Sequence, residues 1–262
     1  MSKRHEKIAF KQIVRLEWMD RTLSLVLAGY SESEIREQLD QYLSTQRQSG
    51  GEGPIRNRVT YGMSLILLSC WFRKEPELDG FRKALLDQAN CVEQKDWLPL
   101  HWAMLAASYP YFAWVSEHVG RLFSLQDSIT SGQVYERMKQ SFGDKEMVAR
   151  NTRYVVRTLV SWGLLEEGKG KKGQYRMPSP YQIQDSQVTE LLLEGLLLSI
   201  PEERCELNTL LRHRALYGFS IDYVSPQELA RLSQTRISMS QVGLTTGIVM
   251  INRLQNMDYV QD

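Results

Sequence analysis

Three arginines recur at helical spacing in the middle of the chain, and their chemistry is that of phosphate binding. Arg150, Arg153 and Arg157 lie three and four residues apart, so at about 100° per residue they share one face of an α-helix with Tyr154. A guanidinium offers a planar set of N–H donors that matches a phosphate group or the edge of a guanine base. These four residues are therefore candidates for contact with nucleic acid.

The opposite face of the same segment is apolar, as a helix that packs against a core requires. This predicted buried stripe consists of Val148, Thr152, Val155, Leu159 and Trp162. Asn151 falls closer to the stripe than to the arginines, which makes it a weaker candidate for a contact. Asp144 is predicted to cap the start of the helix, and Gly163 is predicted to end it.

A basic hairpin is predicted directly after this helix. Residues 164–165 and 175–177 have the composition of two short strands around a glycine-rich turn with three lysines. Between residues 145 and 176 there are eight basic and three acidic residues, a net charge of +5 in a chain whose total is +1. Such a local concentration indicates phosphate contact. The predicted DNA-binding residues are Arg150, Arg153, Tyr154, Arg157, Lys169, Lys171, Lys172 and Arg176.

Two helices followed by a hairpin are typical of a winged helix-turn-helix, which we place over residues 123–178. The pair Thr130 and Gln133 has the spacing of a capping box that opens the first of the two helices, over residues 133–142. In such a module the second helix enters the major groove and the hairpin touches the flanking backbone.

The remaining sequence predicts a mainly α protein. Residues 1–122 are expected to form a helical bundle with helices over 8–29, 31–46, 56–72, 77–89, 99–108 and 111–122. Residues 179–262 are expected to form a mixed, mostly helical extension, with helices over 185–200 and 203–216 and another starting at Ser225. Residues 237–251 fit either a strand or a helix, and in the latter case a second helix-turn-helix would result.

The sequence has little that indicates catalysis. None of the four histidines is four residues from another, and no zinc-protease, P-loop, nucleophile-elbow or C-x-x-C motif is present. The basic turn also reads G-x-G-x-x-G, but it follows a helix and leads into a strand, the reverse of a dinucleotide-binding loop. We expect no enzyme activity, no cofactor and no metal site.

Composition indicates an ordinary soluble globular protein, with 42% hydrophobic and 24% charged residues. The longest apolar runs, residues 63–72 and 191–200, are half the length of a membrane span. The basic N-terminus is not followed by the apolar stretch of a secretory signal. Three widely spaced cysteines favour a reducing compartment. We therefore expect a cytoplasmic protein without a membrane partner.

The order of segments resembles the BrxA family of BREX phage-defence systems, in which a NusB-like helical bundle is joined to a winged helix. The resemblance covers roughly residues 10–178 and rests on LPLHWAMLAASYPYFAWVSEHVGRLF followed by a module that ends in RTLVSWGLLEEG. It implies a non-catalytic binder of double-stranded DNA, with other defence-system proteins as further partners. The C-terminal region is longer than this pattern.

The leading hypothesis is thus a non-catalytic DNA-binding protein with an accessory or regulatory role in phage defence. Two alternatives stay open. A dimeric winged-helix transcriptional repressor would align two recognition helices on a palindrome, and a protein-interaction scaffold would pair the same arginines with acidic residues of a partner. The sequence does not decide the oligomeric state.

Overall fold

Helices dominate the protein, which confirms the prediction of a mainly α chain. The structure, a computed structural model, describes residues 3–6, 10, 12–46, 62–168, 173–222, 224–233, 236–242 and 246–252. Within these ranges the helices of the first half are α1 (Leu16–Leu27), α2 (Glu32–Ser44), α3 (Gly62–Phe72), α4 (Asp79–Cys91), α5 (Leu98–Ser108) and α6 (Pro110–Phe123). No helix in the described part of the chain is long and apolar enough to cross a bilayer.

The ends of these helices follow local signals in the sequence. Ser31 and Glu34 form the predicted capping box at the start of α2, and Gly29 adopts a φ of +79° after α1. Pro110 occupies the first turn of α6, where its missing N–H costs no hydrogen bond. The start of the third predicted helix, with Arg56 and Arg58, lies outside the described residues.

The predicted helix over residues 8–29 is wrong at its start, because α1 begins only at Leu16. The preceding backbone is used for a tertiary contact instead. The Val14 N–H donates to the Thr158 hydroxyl at 2.9 Å, and the Val14 carbonyl accepts from the Trp162 indole at 2.9 Å. A helix that included Val14 would lose both bonds.

The second half alternates short strands with helices. Its helices are α7 (Ser131–Phe142), α8 (Glu146–Ser161), α9 (Ser186–Ser199), α10 (Leu207–Leu211) and α11 (Pro226–Leu232). Its strands are β1 (Ser128–Thr130), β2 (Glu166–Glu167), β3 (Gln174–Arg176), β4 (Tyr181–Gln182), β5 (Arg204–Glu206), β6 (Phe219–Ser220), β7 (Ile237–Val242) and β8 (Thr246–Ile251). They form two three-stranded sheets, ordered β1-β3-β2 and β5-β8-β7, and a parallel pair of β4 with β6.

Two predictions for the C-terminal region are settled by this arrangement. The single helix predicted over residues 203–216 is wrong, because β5 comes first and α10 then ends at Leu211. Glu206 ends the strand and caps α10 by accepting the backbone N–H groups of Asn208 and Thr209. Residues 237–242 and 246–251 form the antiparallel strands β7 and β8, so this segment is not the second helix of a helix-turn-helix.

The apolar core is continuous from the N-terminal helices to the C-terminal sheet. At its centre α9 packs along α5, and every residue of α5 is buried. Trp18 and Trp102 are almost fully buried, whereas Trp71 and Trp114 are partly exposed and pack against the core. The two central helices therefore join the N-terminal helices to the C-terminal region, and α6 connects them to α7 and α8. The predicted division at residues 122 and 178 stays a prediction.

Gly195 allows α9 to approach α5 closely, and this contact gives a stability prediction. A Cβ at position 195 would lie 2.6 Å from the Ala103 carbonyl oxygen and 2.7 Å from the Ala103 Cα. We expect Gly195→Ala to destabilise the protein by about 1–3 kcal/mol through overpacking, measured as the midpoint of thermal unfolding. Gly132→Ala on α7 is the control, because the nearest atom there is 3.8 Å away. Equal stability of the two variants would contradict this role of Gly195.

Candidate nucleic-acid interface

Helices α7 and α8 are joined by a tight turn that sequence signals define. Thr130 and Gln133 form the predicted capping box at the start of α7. Gly143 ends α7 with a φ of +79°, a backbone conformation that favours glycine. Only residues 143–145 separate the two helices, which is the turn length of a helix-turn-helix motif.

The predicted N-cap at Asp144 is wrong. Lys145 precedes the first residue of α8, and its side chain makes no capping hydrogen bond. The Asp144 carboxylate is instead occupied by α7, since it accepts from the Tyr135 hydroxyl and forms an ion pair with Lys139 at 2.7 Å. Hydrogen bonds from Lys139 and then Tyr135 lower the pKa of Asp144. Asp144 therefore links the turn to α7.

The apolar stripe of α8 is buried as predicted. Its members Val148, Thr152, Val155, Leu159 and Trp162 all have 3% exposure or less. Tyr111 of α6 donates to the Val148 carbonyl and lies 2.8 Å from the Thr152 hydroxyl. Burial raises the pKa of Tyr111 to about 12, so the phenol stays protonated and keeps both contacts. Together with the hydrogen bonds that Val14 makes with Thr158 and Trp162, these contacts fix the rotation of α8 about its axis.

That rotation places the arginine face in solvent. Arg150, Arg153 and Arg157 are exposed, whereas Tyr154 is half-buried and packs partly against the core. Asn151 is 2% exposed, in agreement with its position near the apolar stripe. The structure thus brings the three arginines together on one accessible face and gives Tyr154 a smaller accessible area.

The strands that follow α8 differ from the predicted hairpin. Leu164 and Leu165 are not a strand, because both are buried and both donate their N–H groups to the Leu159 carbonyl to end α8. The paired residues are Glu166 with Arg176 and Glu167 with Tyr175.

The structure also adds a third strand, β1, that the sequence did not predict. In the register of this sheet Ile129 pairs with Tyr175, and Ile129 is fully buried. Arg176 is exposed, while Lys169, Lys171 and Lys172 at the turn lie outside the described residues.

The exposed arginines have no competing partner within the described ranges. Arg150, Arg153, Arg157 and Arg176 form no ion pair with any carboxylate there. Among the described residues, no ion pair therefore occupies these guanidinium groups. Arg157 also lies close enough to Tyr175 to oppose the rise in its pKa that burial causes, which places the end of α8 beside β3.

Two charged residues near the start of α8 modify this surface. Lys145 is exposed and makes no ion pair among the described residues, so it adds to the cationic face. It was counted in the local charge of the sequence but was not predicted as a contact residue. Glu146 is also exposed, one turn before Arg150, and partly offsets that charge. At the start of a helix it is favoured by the helix dipole.

Comparisons with protein-family models, with curated proteins and with solved structures give no match to this chain. Its function is therefore inferred from the geometry of the interface.

Proposed function

We propose that this protein is a non-catalytic binder of double-stranded DNA and that α6, β1, α7, α8, β2 and β3 form a winged helix-turn-helix. The order of these elements and the sheet order β1-β3-β2 support a winged helix. The observation that supports DNA binding most strongly is the set of three exposed arginines on α8, opposite a fully buried stripe and without ion pairs in the described residues.

In this proposal α8 is the recognition helix and lies in the major groove. Arg150, Arg153 and Arg157 bind phosphates or guanine edges, and Tyr154 contacts the groove wall with its exposed edge. The hairpin of β2 and β3 lies along the neighbouring backbone, where Arg176 and the turn lysines Lys169, Lys171 and Lys172 bind phosphates. The hairpin would thus position the protein on the DNA backbone, and α8 would make any contacts with the bases.

We further propose an accessory role in a bacterial phage-defence system, within the cytoplasm. The resemblance of the segment order to the BrxA family supports this role. Other defence-system proteins would then be partners.

A single arginine substitution tests the proposal. We expect Arg153→Ala to weaken binding to a fluorescently labelled duplex of about 20 base pairs by roughly tenfold, since a base or phosphate contact of arginine contributes about 1–3 kcal/mol. Fluorescence anisotropy measures the dissociation constant. Arg36→Ala is the control, because Arg36 lies partly exposed on another helix, where it pairs with Glu32 at 2.7 Å. This variant should bind like the unaltered protein.

The same titration with poly-glutamate in place of DNA separates DNA binding from an acidic protein partner. Binding to the duplex that depends on Arg153, with weak binding to the polymer, supports the proposal. Failure to bind duplex DNA, together with tight binding to poly-glutamate, would instead favour the interaction scaffold.

A further inference from the structure

The C-terminal region repeats the topology of the region that contains α8. Residues 110–176 run in the order α6, β1, α7, α8, β2, β3, and residues 186–251 run α9, β5, α10, α11, β7, β8. In both regions the last strand lies in the middle of a three-stranded antiparallel sheet. The second region differs by an insertion between α10 and α11, which contains a 3-10 turn and β6. We call residues 186–252 the second unit.

Three of the seven carboxylates of the second unit are buried. Glu190 and Glu194 are buried against Arg236, with N–O distances of 3.2 and 3.0 Å. Glu203 is buried against Arg4 at 2.9 Å. The second unit has five arginines and seven acidic residues, a formal charge of −2, but this value does not describe its surface.

Four arginines of the second unit are exposed, and two of its carboxylates, Glu206 and Glu228, are partly exposed. Its exposed acidic residues are Glu202 and Asp222, and its exposed arginines are Arg204, Arg212, Arg214 and Arg231. None of these four arginines forms an ion pair with a carboxylate in the described part of the chain. Exposed guanidinium groups without an ion pair of this kind are suited to a polyanion such as a nucleic-acid backbone.

Two of these arginines are held next to the first winged helix. Gly120 of α6 lies against the backbone at Arg214, so closely that a Cβ on Gly120 would be 1.9 Å from the Arg214 carbonyl oxygen. Arg212, Arg214 and Met177 line one cavity of about 320 Å³. Because Met177 directly follows Arg176 of β3, the two arginines lie near the end of the first sheet.

We propose that the second unit is a second winged helix and that Arg212 and Arg214 bind the phosphates of the same DNA duplex, beyond the segment bound by α8. This inference rests on the proposed DNA-binding function and extends it, since it predicts a long binding site. The DNA that leaves the first winged helix would continue over the insertion between α10 and α11. The duplex is thereby contacted at two places by one chain.

The double variant Arg212→Gln/Arg214→Gln tests this second contact on two duplexes. One has about 12 base pairs, little more than one helical turn and enough for one recognition helix; the other has about 30. On the long duplex we expect binding to weaken roughly tenfold, and the slope of log affinity against log salt to decrease by about 2, since each phosphate contact contributes about 0.9. On the short duplex we expect no change.

Arg36→Gln and Arg153→Ala serve as reference variants that keep the outcomes distinguishable. Arg36→Gln should leave both duplexes unaffected, and circular dichroism should show that all variants stay folded. If Arg153→Ala weakens binding but the double variant binds the long duplex normally, the second contact is wrong and the proposed function stands. Equal losses on both duplexes also overturn the second contact. If the unaltered protein binds neither duplex, the proposed function itself fails.

Discussion

Replacement of Arg236 by methionine is expected to destabilise the protein by about 3–5 kcal/mol, because it leaves two buried carboxyl groups without their charged hydrogen-bond donor. The Arg236 side chain lies between Glu190 and Glu194, which are 0% and 2% exposed. Its Nε donates to both oxygens of Glu194 at 3.2 and 3.0 Å, and its terminal nitrogen donates to Glu190. Methionine fills a similar volume but donates no hydrogen bond. Urea unfolding measures the loss.

Glu190→Gln is the matched substitution in the same cluster, and we expect it to stabilise the protein. Burial, and then the charge of Glu194, raise the pKa of Glu190 well above its ordinary value of 4.5. A carboxyl with a raised pKa in the folded state stabilises the protein fully at acid pH, and this contribution is lost as the pH rises through the raised pKa. A glutamine at position 190 removes that loss of stability, since its side chain stays neutral and still accepts a hydrogen bond from Arg236.

The stabilities of the two variants therefore depend differently on pH. At pH 8 Glu190→Gln should unfold at a higher temperature than the unaltered protein by about 2–4 °C, the shift expected for about 1 kcal/mol, and at pH 4.5 the difference should shrink. Arg236→Met should be less stable at both values. An Arg236→Met variant as stable as the unaltered protein would show that the cluster is not buried as described.

The second large effect that we expect is on the affinity for duplex DNA. The triple variant Arg150→Gln/Arg153→Gln/Arg157→Gln should lose at least about 100-fold in affinity for duplex DNA at low salt, since each arginine contributes about 1 kcal/mol or more. Its stability should change little, because all three side chains are exposed and have no ion pair in the described residues. Anisotropy titrations with thermal unfolding on the same samples measure both quantities. Weak binding with a lowered unfolding temperature would indicate a folding defect instead.

Local signals in the sequence predicted much of the helical framework. Capping boxes at Ser31 and Thr130 and glycines at 29 and 163 depend on neighbouring residues only, and the structure has them in place. The 3.6-residue period of α8 gave both its buried stripe and its exposed arginines, because a helix that packs on one side must separate apolar from charged residues.

The sequence did not predict the features that depend on contacts between distant residues. Val14 lies in an extended segment because Thr158 and Trp162, more than 140 residues away, take its backbone hydrogen bonds. Strand β1 has only three residues, too few to show the alternation of a strand, and it forms because β3 supplies its partner. The topology of the second unit depends on strand order, which no local pattern specifies.

The salt dependence of duplex binding tests the central claim most directly. The affinity of the unaltered protein for a duplex of about 20 base pairs should fall steeply and linearly on a log–log plot between about 50 and 200 mM salt, because phosphate contacts release counter-ions. The triple variant should show a slope smaller by about 2 to 3, because each substituted arginine no longer neutralises a phosphate. An affinity of the unaltered protein that stays flat over this range, or an identical slope for both proteins, would contradict DNA binding through the arginine face of α8.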